Sequence, residues 1–162
     1  MYVFPNTRYK INKLYLYDCI SDGKNMVIAV DLQHIYPIEG ATVLPHSDFT
    51  SAETQQQILQ LLKNRRVDTI ISDMAPSASG IKSMDHDNII RLVLSALRFS
   101  FGVLSETGTF LCKIFNGHQD QKLRKMLESC FQDVRLVKPH ASRDDSAEVF
   151  LLARDFKKPK IS

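Results

Sequence analysis

The sequence predicts an α/β fold built on a mostly parallel sheet with an antiparallel last strand. From residue 26 onward short apolar runs alternate with helical patterns, which is typical of repeated strand–helix units. Strand candidates cover residues 26–30, 41–44, 67–72, 109–115, 134–137 and 148–153. Because 162 residues can enclose one core and no linker or repeat interrupts the pattern, we expect a single domain over residues 1–162.

Three helices are predicted between these strands. Thr50-Ser51-Ala52-Glu53 has the form of a capping box, which predicts Thr50 as the N-cap of the first helix. The second helix should be capped by Asp85 or Asp87, and a shorter third helix should begin at Asp120. One apolar stripe at helical spacing supports the second helix: Ile90, Val93, Leu94, Leu97, Phe101 and Leu104.

Positive charge is concentrated in the last third of the chain. The formal net charge is +3, but residues 113–162 contain 11 lysines and arginines against seven acidic residues. This distribution favours a polyanionic partner. The alternative is an ordinary solvated surface followed by a basic tail over residues 157–162.

Cysteine spacing and hydropathy exclude two classes of site. The three cysteines form no metal-binding spacing, so we expect no metal site, and their odd number favours a reducing compartment. No apolar run approaches the roughly 18 residues that a membrane helix needs, so we expect no membrane partner.

Charged residues at the ends of strand candidates predict one shared polar site. Asp73, Lys113 and Glu148 each lie at the edge of an apolar run, and such residues are seldom buried unless they are paired. Asp31 ends the strand at 26–30 and could bind a ribose diol, although a turn aspartate is the alternative. Asp48 could accept an adenine amino group, or it could be a loop residue beside the helix cap.

The order of these motifs resembles that of FtsJ-type ribosomal RNA 2′-O-ribose methyltransferases over residues 20–156. The most specific segments are Ser72-Asp73-Met74-Ala75-Pro76 and Lys138-Pro139-x-x-Ser142-Arg143, followed by Glu148-Val149. Residues 31–41 and 84–87 are most similar to the mitochondrial members.

The resemblance implies a Rossmann-like methyltransferase fold with S-adenosylmethionine (SAM) as the methyl donor. It implies a large-subunit ribosomal RNA or pre-ribosomal particle as the partner, a mitochondrial location with cytoplasm or nucleus as alternatives, and a monomer. Three groups of residues follow from it. The catalytic group is Lys113 as the base with Asp73 and Glu148, the cofactor group is Asp31, Asp48 and Asp73, and the RNA-binding group is Lys138, Ser142 and Arg143.

The amino-terminal part of the family pattern is missing. The family's first catalytic lysine and its glycine-rich SAM loop have no match, since Gly23 is the only glycine before Asp31. Residues 1–19 diverge; residues 13–20 have some β character, but we expect no replacement for the usual first strand. Two alternatives follow: an amino-terminally shortened form of an active enzyme, or a protein that has lost SAM binding and kept an RNA surface.

Overall fold

The structure, a computed structural model, describes residues 13–18, 26–76, 82–115, 120–138 and 148–157. The described residues form seven strands and three helices. In chain order they are β1 (Lys13–Asp18), β2 (Met26–Asp31), β3 (Ala41–Leu44), α1 (Ala52–Leu62), β4 (Val67–Asp73), α2 (Lys82–Val103), β5 (Leu104–Phe115), α3 (Asp120–Cys130), β6 (Phe131–Val137) and β7 (Glu148–Phe156). Every predicted strand is therefore present. None of the described helices is long and apolar enough to cross a bilayer.

The strands form one sheet in the order β3-β2-β1-β4-β5-β7-β6. β2 pairs with β3 and β4 pairs with β5 in parallel, whereas β7 is antiparallel to both β5 and β6. Five strands therefore run in one direction, and β1 and β7 run in the other. The predicted mostly parallel sheet with an antiparallel last strand is confirmed.

The expectation that the sheet lacks its first strand is wrong. β1 lies between β2 and β4 and is antiparallel to both. Its side chains alternate, with Leu14, Leu16 and Asp18 buried and the residues between them partly exposed. Without a strand in this position, the backbone groups of β2 and β4 that face it would be unpaired in the interior. An antiparallel strand satisfies their hydrogen bonds as well as a parallel one does. The divergent segment thus contributes residues 13–18 to the sheet, while residues 1–12 and 19 lie outside the described part.

The three helices cover the same face of the sheet. The chain moves in one direction across the sheet from β3 to β4, β5 and β6, and right-handed crossovers place successive connections of this kind on one side. The helical residues Ile58, Val93, Leu97 and Leu127 share one buried cluster with strand residues of this face. Those strand residues include Leu14, Ile28, Ile70, Phe110 and Leu151, which are at most 1% exposed.

We call the opposite side of the sheet the open face. Several of its central residues alternate with the buried ones and are partly exposed: Tyr15, Tyr17, Thr69, Ile71, Leu111, Phe150 and Leu152. Ala29, Asp31 and Lys113 lie on the same face and are buried. None of them belongs to the buried cluster that holds the three described helices. A helix that joins β1 to β2 would cover this side in a parallel arrangement, but here the antiparallel pairing reduces that connection to residues 19–25.

Two helix starts differ from the prediction. Ser51, not Thr50, is the N-cap of α1, because its side-chain oxygen accepts a hydrogen bond from the Thr54 amide. The Thr50 hydroxyl instead donates to Asp48 Oδ1 at 2.7 Å. α2 begins at Lys82, one turn before the predicted cap, so Asp85 lies in its first turn.

Candidate functional site

The predicted charged residues meet at one edge of the sheet. β2 ends at Asp31, β4 ends at Asp73, and Lys113 lies two residues before the end of β5. Glu148 begins the antiparallel β7, so it lies at the same edge. This is the carboxyl edge of the parallel strands, where open α/β sheets bind their ligands.

Four residues form a row of alternating charge across four adjacent strands. Asp31 is the register partner of Lys13, and Lys13 is in turn the register partner of Asp73. Lys113 Nζ lies 2.7 Å from Asp73 Oδ1. The order across the sheet is therefore acid, base, acid, base.

The contact between Lys113 and Asp73 is largely buried. The Lys113 side chain is 9% exposed and the Asp73 side chain is 28% exposed. A lysine this buried needs a partner, because moving an unpaired ammonium group out of water is costly. Asp73 supplies that partner and holds the Lys113 amine at the rim of the sheet.

Glu148 lies one step beyond Lys113 on the same face. Lys113 pairs with Phe150, and Phe115 pairs with Glu148. Residues two apart on a strand share a face and are separated by about 7 Å, so the exposed Glu148 carboxyl is placed beside the Lys113 site. The structure thus brings together all three members of the predicted catalytic group.

Lys13 is a site residue that the sequence analysis missed. Its position between Asp31 and Asp73 follows from β1 being in the sheet. The signal was present as the strict alternation in Lys13-Leu14-Tyr15-Leu16-Tyr17-Asp18, which is typical of a half-buried strand.

Tyr15 faces the same charged row. Burial raises its pKa to about 12, and the nearby Tyr17, Asp73 and Asp31 add to the shift. The Tyr15 hydroxyl therefore keeps its proton well above neutral pH.

Asp31 and Asp48 are held next to each other by the loop after β3. The backbone oxygen of Asp31 accepts a hydrogen bond from the Ser47 amide at 2.9 Å. Asp31 Oδ1 also accepts from the Gln33 amide, and Asp48 Oδ1 accepts from the Thr50 amide and hydroxyl. In the described part of the chain, the other carboxylate oxygen of each residue carries no hydrogen bond.

These carboxylates fit one half of the SAM molecule that the resemblance implies. Oxygens that only accept hydrogen bonds suit the hydroxyl and amino groups of a nucleoside, and Asp31 and Asp48 offer them at the correct edge. The amino-acid half of SAM finds no glycine-rich loop here among the described residues. Since β1 is antiparallel, it begins at this edge with Lys13 instead of ending here in a loop.

The predicted RNA-binding residues are described only in part. Lys138 follows β6 directly and lies near the carboxyl edge, because its neighbour Val137 pairs with Phe150. Ser142 and Arg143 lie outside the described residues. Within the described ranges, no group of three or more histidine, cysteine or acidic residues could hold a metal ion.

Comparison with known proteins gives a consistent result. The profile of FtsJ-like methyltransferases matches residues 14–156. The chain is 37% identical to "rRNA methyltransferase 2, mitochondrial" of Drosophila melanogaster over 131 residues, which are 81% of this chain and 52% of that protein. It is 41% identical to the Caenorhabditis elegans protein of the same name over 80% of this chain and 62% of that protein.

A bacterial relative and a solved structure extend the match. "Ribosomal RNA large subunit methyltransferase E" of Roseobacter denitrificans is 42% identical over 85% of this chain and 56% of its own length. The chain thus spans between 52% and 62% of these three relatives. A crystal structure described as a ribosomal RNA methyltransferase of Plasmodium falciparum superimposes with a TM-score of 0.70 at 25% identity, covering 80% of this chain and 71% of that one.

Proposed function

Because the chain belongs to the FtsJ-like methyltransferase family, we propose that it methylates a ribose 2′-hydroxyl of large-subunit ribosomal RNA with SAM as the donor. The observation that carries this proposal is the 2.7 Å contact between Lys113 and Asp73 at the carboxyl edge of the sheet. A paired lysine at this edge, beside the carboxylates of Asp31 and Asp48, fits a reaction that removes a proton from a bound nucleotide.

Each residue of the predicted catalytic group has a separate role in the proposed reaction. For methyl transfer the 2′-hydroxyl must lose its proton, and Lys113 Nζ would accept that proton as a neutral amine, after releasing its own ammonium proton to solvent. Asp73 orients Lys113 through their contact, and Glu148 orients the ribose from the next position along the edge. Holding the two reactants in line contributes much of the rate in reactions of this kind.

Asp31, Asp48 and Asp73 are the proposed cofactor-binding residues. Asp31 accepts hydrogen bonds from the ribose hydroxyls, and Asp48 accepts one from the adenine amino group. Asp73 adds negative charge beside the reacting centre. When bound, SAM supplies a sulfonium-activated methyl group, whose positive charge is favoured near these carboxylates.

The proposed RNA partner is consistent with the relatives, which are named ribosomal RNA methyltransferases. Lys138, with Ser142 and Arg143, binds the RNA backbone of the ribosomal RNA or the pre-ribosomal particle. Two relatives are named as mitochondrial, which supports a mitochondrial location for this chain. The active form is proposed to be a monomer.

A second function is favoured by one observation. β1 runs antiparallel, so the described part of the donor-binding edge has no glycine-rich loop. On this alternative the chain binds ribosomal RNA without transferring a methyl group.

One set of measurements separates the two functions. The enzyme proposal predicts heat on calorimetric titration with SAM and transfer of a labelled methyl group to ribosomal RNA, which Lys113→Ala abolishes. Lys125→Ala, an exposed lysine of α3, is the matched control and should leave transfer unchanged. If SAM at millimolar concentration gives no heat, while RNA binding is intact in Lys113→Ala, the enzyme proposal is rejected for this chain and the RNA-binding function is supported.

A further inference from the structure

The open face has an aromatic centre. Tyr15 and Tyr17 lie on β1, the middle strand of the sheet, and their rings are stacked with centroids 6.2 Å apart and an angle of 29° between planes. Both side chains are only partly buried, in contrast to Leu14 and Leu16 on the other side of the strand. Burial raises the pKa of both phenols, to about 12 for Tyr15, so both rings are uncharged at neutral pH.

The tyrosine pair starts next to the proposed acceptor site. Tyr15 is two residues from Lys13, which is in register with Asp73. Successive residues on one strand face are about 7 Å apart, so Tyr15 lies one such step and Tyr17 two such steps from Lys13 along β1. An RNA strand whose ribose is bound at Lys113 would therefore have Tyr15 and Tyr17 near it.

The chemistry of the tyrosine pair suits unpaired bases. Sequence-specific and single-strand RNA recognition commonly uses aromatic side chains on an exposed sheet, because every base has a π-face that can stack. Lys13 provides a positive charge at the start of the same strand.

We propose that Tyr15 and Tyr17 form a stacking platform for single-stranded RNA next to the methylated nucleotide. This inference rests on the proposed function for the identity of the RNA. A second copy of the chain is the competing occupant of the open face. It is less consistent with the site, because a protomer packed on this face would cover the edge that the acceptor ribose must reach.

The test uses the full chain and a labelled single-stranded ribosomal RNA fragment, measured by fluorescence anisotropy without SAM. We expect Tyr15→Leu and Tyr17→Leu each to weaken binding about tenfold. Tyr15→Phe and Tyr17→Phe keep the ring and should bind within about twofold of the parent chain. Since none of these variants changes a charge, the dependence of affinity on salt should stay the same.

RNA binding at the platform can be measured directly by tryptophan fluorescence, because the chain contains no tryptophan of its own. Tyr15→Trp introduces a single tryptophan at the platform, and its selectively excited emission should be quenched when RNA binds. Met126→Trp is the matched control, because Met126 is exposed on α3 at the helical side of the sheet. Its emission should not change on binding.

Three outcomes would overturn the platform: parental affinity in both leucine variants, no quenching in Tyr15→Trp, or a concentration-dependent dimer in sedimentation that Tyr15→Leu dissociates. The last result assigns the open face to a second copy. Failure of the proposed function is distinguishable, since stacking and quenching without any methyl transfer would reject the activity and retain the platform.

Discussion

Lys13, the first residue of β1, lies directly opposite Asp73, the last residue of β4. On its other side Lys13 is in register with Asp31. A strand from the divergent end of the chain therefore places a lysine in register with two aspartates at the proposed active site. A positive charge at this edge favours an RNA backbone there.

Lys13→Met should weaken RNA binding most strongly at low salt. If Lys13 contacts a phosphate, the slope of log affinity against log salt should fall in magnitude by about 1. Lys13→Arg should keep the parental slope. Titrations at several salt concentrations provide the measurement, and identical slopes in Lys13→Met and the parent chain would show that Lys13 does not contact a phosphate.

Leu16→Ala should destabilise the whole domain. Leu16 is 1% exposed and belongs to the buried cluster under the helices, so truncation should lower the free energy of unfolding by about 2–5 kcal/mol. Urea denaturation gives this value. Leu136→Ala is the control, because Leu136 is 50% exposed and should change stability by less than about 0.5 kcal/mol. Equal effects would mean that β1 is not part of the core.

Cys112 should resist alkylation in the native protein. Its thiol is completely buried between β4 and β7, and burial raises its pKa to about 12, so almost no thiolate is present at neutral pH. Cys130 is only partly buried and should react first with iodoacetamide. Peptide mapping by mass spectrometry measures both sites. Rapid modification of Cys112 in the native protein would contradict its buried position. Unfolding in urea should make Cys112 reactive.

Stability should fall when the pH rises from about 10 to 12. Tyr15 has its pKa raised from 10.0 to about 12, mainly by burial and further by Tyr17, Asp73 and Asp31. A group with a raised folded-state pKa contributes fully below its unfolded pKa and loses that contribution as the pH approaches the folded value. Phenolate absorbance should show a group titrating near pH 12 that is absent in Tyr15→Phe. Titration of all folded-state tyrosines near 10 would contradict this.

Much of the architecture was predictable because it depends on local patterns. The apolar runs and the helical stripe of α2 correctly predicted six strands and three helices, except that Leu104, the last residue of the stripe, begins β5. The helix starts were less certain, because Thr50 and Ser51 are both good caps and only the contact of Thr50 with Asp48 distinguishes them.

The site was predictable in composition but not in arrangement. Asp73, Lys113 and Glu148 follow strands that run to, or begin at, one edge, so their proximity follows from topology. Lys13 could not be placed in this way. Six alternating residues indicate a strand, yet they do not determine which strands it pairs with or in which direction.

The sequence by itself determined the family, the order of the elements and the charged residues at their ends, since these depend on residue type and spacing along the chain. Only the tertiary structure decided that β1 fills the central position in the antiparallel direction, that Lys13 lies between Asp31 and Asp73, and that one face of the sheet is left without a described helix. Pairing between distant strands is chosen by the backbone hydrogen bonds and buried surface that the assembled sheet offers, and this choice is not written in any local segment.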